Sequence, residues 1–211
     1  MSARLLVFGA SGSTGREIVS QALERGLQVT AFVRDSARLA IRHDSLRIVQ
    51  GNVADRSSVA TAVAGQDAVI SALGVGRPLR HDALVVEGIR NIIQAMYDQV
   101  ARRLIYLSFI GVSESRKDAG WMLRYVARWP LRSEIADHEV KEGLVRSSQL
   151  DWTIVRAPKL TNGPYTGTYR VGEGIAAQSL LPELSRADLA DFMLSQIVDT
   201  TYLGRAPRLL P

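Results

Sequence analysis

The strongest constraint on this chain lies in its first fifteen residues. The apolar run Leu5–Phe8 ends in Gly9-Ala-Ser-Gly12-Ser-Thr-Gly15, and a helical pattern begins near Thr14. A strand that enters a glycine-rich turn and opens a helix is the first half of a βαβ unit. Gly9 permits the sharp exit from the strand, Gly12 lets the backbone approach a ligand, and Gly15 lets the helix pack closely on the sheet. Amides at a helix start attract anions, and Ser11, Ser13 and Thr14 add hydroxyl donors. The turn therefore reads as a cradle for a dinucleotide pyrophosphate. Its spacing, G-x-x-G-x-x-G, departs from the commoner G-x-G-x-x-G, and the alternative is a turn whose glycines only relieve crowding. The strand–turn–helix context favours the cradle.

The rest of the chain repeats this alternation. Short runs rich in Val, Ile and Leu predict strands at Leu5–Phe8, Gln28–Val33, Leu46–Gln50, Asp67–Ala72, Leu104–Phe109 and Trp152–Ala157. Helical patterns fall between them at Thr14–Arg25, Ser57–Ala64, Asp82–Asp98 and Ser133–Ser147, long enough to cross between parallel strands. A further helix follows the capping signal Ser185-Arg-Ala-Asp188, and a last strand is expected near Pro207–Leu210. The expected fold class is α/β, a Rossmann-like doubly wound parallel sheet with a small C-terminal substrate-side cap. Residues 1–211 read as a single NAD(P)-binding domain with an insertion at about 112–132 and cap segments at about 158–184.

Composition narrows the alternatives. With 46% hydrophobic and 22% charged residues the chain is of ordinary globular make-up, and no apolar run is long enough to span a membrane. The N-terminus reads as a first strand and not a secretory signal, so a cytoplasmic protein is expected. With no cysteine, disulfides, thiolate metal sites and a cysteine nucleophile are excluded, and no metal site is expected. The net charge of +5 comes from scattered arginines, which suits a solvated surface with a few residues serving an anionic ligand, not a nucleic-acid face.

Cofactor preference is read where the second strand ends. An acidic residue there would bind a ribose hydroxyl, whereas arginine accommodates a 2′-phosphate. Here Val33 leads into Arg34, with Arg38 one helical turn on, and a guanidinium suits a phosphate monoester. NADP(H) is favoured over NAD(H), although Asp35 would bond a ribose if it turned inward. Asn52 and Val53, after strand three, are placed to bracket adenine. Ala72, Leu73 and Gly74, after strand four, let the ribose pass close to the backbone.

Several segments resemble a known family. Gly9–Gly15, Val33-Arg-Asp-Ser-Ala-Arg-Leu39, Val63–Ile70, Asp137-His138, Asp151–Arg156, Gly163–Val171 and Ser185–Leu194 are similar to the NAD(P)H-binding, NmrA-like branch of atypical short-chain dehydrogenases. Among its members they most resemble the biliverdin-IX-beta reductases, also called flavin reductases. The resemblance covers nearly the whole chain. It implies NADPH across the strand ends and a shallow, tolerant substrate site over the nicotinamide. It maps the family's serine after strand five to Ser108 and its helix histidine to His138. Pro158-Lys159-Leu160 match the segment that passes the nicotinamide carboxamide. The Tyr-x-x-x-Lys pair of the larger superfamily would fall on Glu134 and His138, so alcohol oxidation through a tyrosinate is not expected.

Ser108, at a strand end, is a candidate to orient the carboxamide or the acceptor; the alternative is a buried serine bonded to nearby backbone. His138, near Glu134 and Lys141 on one helix face, is a candidate proton relay if its pKa stays near neutrality; the alternative is a surface histidine. Trp121, Tyr125 and Trp129 recur every four residues, as packing for the insertion or as a wall against a flat acceptor. Three functions stay open: an NADPH-dependent reductase of flavin, quinone or tetrapyrrole-like acceptors, an NADP(H)-binding redox sensor with a protein partner, and an assembly factor using the fold as a scaffold. The expected partner is a small-molecule acceptor, the expected state a monomer or small homo-oligomer, and no membrane insertion is expected.

Overall fold

The computed structural model describes residues 2–74, 83–117 and 132–211. Six strands run in parallel: β1 (Arg4–Phe8), β2 (Gln28–Val33), β3 (Leu46–Gln50), β4 (Ala68–Ser71), β5 (Arg103–Phe109) and β6 (Asp151–Ala157). Two short strands, β8 (Arg170–Gly172) and β10 (Arg208–Leu210), complete an eight-stranded sheet of order β3-β2-β1-β4-β5-β6-β10-β8. Among the described strands only β8 runs antiparallel, against β10. A separate parallel pair joins β7 (Lys159–Thr161) to β9 (Glu183–Ser185). The predicted strands are all present to within a residue or two. The three-residue β7, β8 and β9 were not foreseen, being too short to show periodicity.

The helices are α1 (Ser13–Glu24), α2 (Arg56–Val63), α3 (Ala83–Asp98), α4 (Arg132–Ser147) and α5 (Arg186–Ser195). Strand alternation sorts the core into two layers. Leu5, Val7, Val29, Ala31, Ile105 and Val155 face α1 and α5, whose Ile18, Val19, Leu189 and Met193 are buried against them. Leu6, Phe8, Val69, Leu104, Tyr106 and Ile154 face the other way, toward α2, α3 and α4. Burial on both faces explains why these strands are apolar throughout instead of alternating.

Sheet order reverses between β1 and β4, so β2 and β3 lie to one side of β1, and β5 and β6 lie beyond β4. That reversal leaves a crevice at the carboxyl ends of the strands, where doubly wound sheets bind ligands. Among the described residues, no helix is long and apolar enough to cross a membrane.

Candidate functional site

A cleft of about 570 Å³ opens at this reversal. Its floor is the glycine turn, and the geometry gives each glycine a reason. Gly9 sits at φ +79°, and a Cβ there would lie 2.5 Å from the Ala72 carbonyl oxygen. A Cβ on Gly15 would come within 2.1 Å of the Gly9 carbonyl oxygen, so only glycine lets α1 start this close to the strand. Gly12 is different: its added Cβ would meet only that same oxygen, at 3.2 Å. Gly12 is also the N-cap of α1 and contributes no side-chain cap, and the first turn has no acidic residue. The opening amides of α1 are thus left to an external acceptor, the arrangement that binds phosphate.

The cleft brings together all the turn residues expected to bind cofactor, Gly9, Ser11, Gly12, Ser13, Thr14 and Gly15. Arg34 and Arg38 line its far end beyond β2. Asp35, the competing ribose ligand, points its Oδ1 at the Ala37 amide (3.0 Å) and caps the short 3₁₀ turn Ser36–Arg38. The same turn carries Arg38 to the cleft.

Asn52 and Val53 form another wall. Asn52 Oδ1 accepts from the Ala54 amide (3.1 Å), closing an Asx turn that leaves its Nδ2 for a ligand. Buried Asn91 of α3 donates to the Val53 carbonyl (3.0 Å), and Gly88 lets α3 approach until a Cβ would sit 2.6 Å from Val53 Cγ2. Sequence reasoning missed this pair, because nothing local marks Asn91 or Gly88 as supports for a turn some 35 residues away. Ala72, Leu73 and Gly74 complete the wall at the end of β4, together with Phe32, Val33, Leu84 and Val85. Arg186 also lines the cleft and was likewise missed.

Among the described residues, no acidic side chain lines the cleft, while three arginines do: Arg34 and Arg38 at one end, and Arg186 on α5. A dinucleotide with a 2′-phosphate carries negative charge at its pyrophosphate and at its adenosine end. The residues present fit such a group.

Ser108 lies elsewhere. It shares the face of Leu104 and Tyr106, and its hydroxyl donates to Glu142 of α4 (2.6 Å). Glu142 is buried with its side chain 1% exposed, and so is its partner Arg156. Arg156 Nε and Nη2 grip the carboxylate at 3.0 and 2.6 Å. Arg156 also reaches Glu114, at 2.9 and 3.2 Å, and Arg146 joins Glu114 at 2.8 Å. Burial would raise the Glu114 carboxyl, but the Arg156 hydrogen bonds win and hold it down at about 2. Ser108 therefore belongs to a network that locks β5, β6, α4 and the turn at Ser113–Lys117 together. The side chain expected at the nicotinamide is turned to the α4 side of the sheet, and it bonds a carboxylate where the alternative reading had backbone.

His138 is half-buried, with its ring 6.4 Å from that of Phe109 at the end of β5. Its Nδ1 is shut off from solvent without a hydrogen-bond partner. Burial first, then the charge of Lys141, lowers its pKa to about 3 against the pull of Asp137. The expectation of an imidazole titrating near neutrality is corrected here: this ring is neutral at physiological pH.

The segment expected beside the carboxamide does not line the cleft described. Pro158 is buried, Lys159 Nζ pairs with Glu183 (2.5 Å), and Leu160 packs against the α1 and α5 layer. Trp121, Tyr125 and Trp129 lie outside the described residues, as does the side chain of Glu134.

Comparison with known proteins agrees with this geometry. The model of a family described as NAD(P)H-binding matches residues 9–200. An uncharacterised chloroplastic protein of Arabidopsis thaliana is 28% identical over 97% of this chain and 79% of its own length. The (4-alkanoyl-5-oxo-2,5-dihydrofuran-3-yl)methyl phosphate reductase of Streptomyces griseus is 29% identical over 96% of this chain, which spans 66% of that enzyme. A short-chain dehydrogenase/reductase of Veillonella parvula, solved in complex with NADP, superposes with a TM-score of 0.81 at 19% identity, covering 99% of this chain and 94% of that one. At that identity the likeness is one of fold. The chain belongs to the NAD(P)H-binding family, and its sheet order and motifs fit the NmrA-like branch of atypical short-chain dehydrogenases and reductases.

Proposed function

We propose that this protein is an NADPH-dependent reductase that delivers hydride to a flat, conjugated small molecule such as a flavin, a quinone or a tetrapyrrole. The observation that carries this reading is the cleft at the sheet reversal, free of acidic side chains among the described residues, with its uncapped helix start and its arginines at two separate places. Arg34 and Arg38 hold the 2′-phosphate, and the amides that open α1, with the hydroxyls of Ser13 and Thr14, hold the pyrophosphate. Asn52 reads the adenine edge through its remaining Nδ2 donors.

When bound, the reduced nicotinamide supplies the hydride and the chain supplies placement. The end of β5 borders the end of β4, so Phe109 and His138 stand on the acceptor's side of the cofactor. A neutral imidazole is a poor source of a proton. Acceptors that take hydride into a conjugated system and their proton from water suit this site better than a simple ketone. The segments at 158–184 serve as the cap over that acceptor. Ser108 acts as a positioning residue, fixing the end of β5 through Glu142.

The test is to mix protein, NADPH and either FMN or a soluble quinone and follow the loss of reduced-nicotinamide absorbance. The expected result is NADPH consumption that depends on protein and on at least one of these acceptors. Tight NADPH binding without turnover on either would overturn the reductase reading in favour of a redox sensor. Absence of cofactor binding would favour a scaffold.

A further inference from the structure

We infer that Arg186 is a second wall of the pyrophosphate site, closing on the diphosphate from α5 opposite the glycine turn. The inference rests on the reading of the cleft as a dinucleotide site. Arg186 is the first residue of α5, following the N-cap Ser185, and its side chain lines the same cleft as Gly12, Ser13 and Thr14. Chain order hides this proximity. The packing of α5 beside α1, fixed by Gln21 Nε2 donating to the Ala187 carbonyl (2.9 Å) and by Arg25 paired with Asp191, carries Arg186 to the turn.

Three observations point to an anion. First, Arg186 Nη1 donates to Asn162 Oδ1 at 2.7 Å, while its Nε is buried with no acceptor. A desolvated guanidinium donor without a partner is costly, and the cost is recovered when a ligand supplies the acceptor. Second, the acidic residue in the first turn of α5, Asp188, has its two carboxylate oxygens engaged by Ser185, Thr166 and Gly167 and does not meet the Arg186 Nε. Third, none of the described cleft-lining residues is acidic, so no carboxylate among them takes that role.

The geometry of the guanidinium narrows the ligand. With Nη1 held by Asn162, the Nε and Nη2 hydrogens remain as a parallel pair, the edge that engages two oxygens of a phosphate at once. Arg34 and Arg38, beyond β2, are the arginines for a terminal monoester. Arg186, beside the helix start, is placed for the diphosphate. Asn162, which follows β7, is a positioning residue that fixes the fork and couples this segment to the cofactor.

The experiment compares wild type with Arg186→Gln, Arg186→Lys and Asn162→Ala by titration with NADPH, NADH and adenosine 2′-monophosphate, the last lacking a diphosphate. Arg186→Gln is expected to weaken NADPH and NADH by a common factor of about 10 to 100 and to leave the monophosphate unchanged. Arg186→Lys should recover only part of the loss, and Asn162→Ala should show the same pattern at a few-fold. Thermal unfolding of each variant checks the fold, and if the Gln variant is unstable the Lys and Asn162 variants carry the comparison. Unchanged dinucleotide binding in all variants would overturn the assignment. A loss confined to NADPH would also overturn it, by placing Arg186 on the 2′-phosphate, as would a rise in acceptor KM with cofactor affinity intact. If wild type itself binds neither dinucleotide, the reading of the cleft fails and this inference fails with it.

Discussion

Replacing Glu142 by Gln tests the network beneath the end of β5. Wild-type Glu142 receives the Ser108 hydroxyl and two Arg156 donors while buried with Arg156. The amide preserves shape and one acceptor oxygen but presents a donor to Arg156 Nη2 and removes the negative charge. Arg156 keeps only Glu114, whose side chain is 55% exposed and shared with Arg146. Removing one member of a buried, hydrogen-bonded pair costs about 3–5 kcal/mol, because the survivor stays desolvated and unmatched. With shape conserved, the lower end of that range is expected, about 3 kcal/mol. At about 2–4 °C per kcal/mol for a chain of this size, Tm falls by roughly 6–12 °C. The assay is urea unfolding, where the midpoint should drop with little change in m. In the double variant Glu142→Met with Arg156→Met, the uncompensated charge is gone, and most of the loss should be recovered. A loss below about 1 kcal/mol in Glu142→Gln, or a double variant worse than the single, would refute the reasoning.

Two further outcomes follow from the same geometry. Gly15→Ala forces a Cβ into the Gly9 carbonyl and should cost about 1–3 kcal/mol of stability, whereas Gly12→Ala, with one contact at 3.2 Å, should weaken dinucleotide binding with little loss of stability; equal effects in a denaturation series would contradict this. His138 is neutral in the native state down to about pH 3 but takes up a proton near pH 6.5 when unfolded, so its contribution to stability is fully present above pH 6.5 and declines at about 1.4 kcal/mol per pH unit as pH falls toward 3. His138→Gln should flatten the stability profile between pH 6.5 and 5 by about 2 kcal/mol, measured by urea midpoints, and an unchanged slope would show that the ring is not held neutral.

Much of this molecule is legible in its sequence, and the parts that are not share a cause. Strands β1, β2, β4, β5 and β6 announce themselves because both their faces are largely buried, which turns them into apolar runs, and the edge strand β3 still shows Leu46, Ile48 and Val49. The cofactor turn is legible because its determinants are contiguous, from Gly9 to Gly15. Arg34 is legible because strand ends in such sheets have a fixed relation to the ligand. What a single sequence does not disclose is which face of the sheet a strand-end residue takes. Ser108 and Phe109 are neighbours at the end of β5, yet Ser108 bonds Glu142 of α4 while Phe109 packs against the separate apolar cluster of Ile110 and Leu210. Arg186 reaches the cleft, and Asn91 the carbonyl of its wall residue Val53, only through helix packing across long separations, which no local spacing encodes. His138 was placed on the right helix, but its pKa depends on burial, a property of the assembled layers.

The most direct measurement of the central claim is calorimetric titration of NADPH and NADH into wild type and Arg34→Ala. Loss of a charge-assisted contact to the 2′-phosphate should weaken NADPH by about 10- to 100-fold and change NADH less than about threefold. Equal weakening of both, or a wild type that binds NADH as tightly as NADPH, would contradict the account.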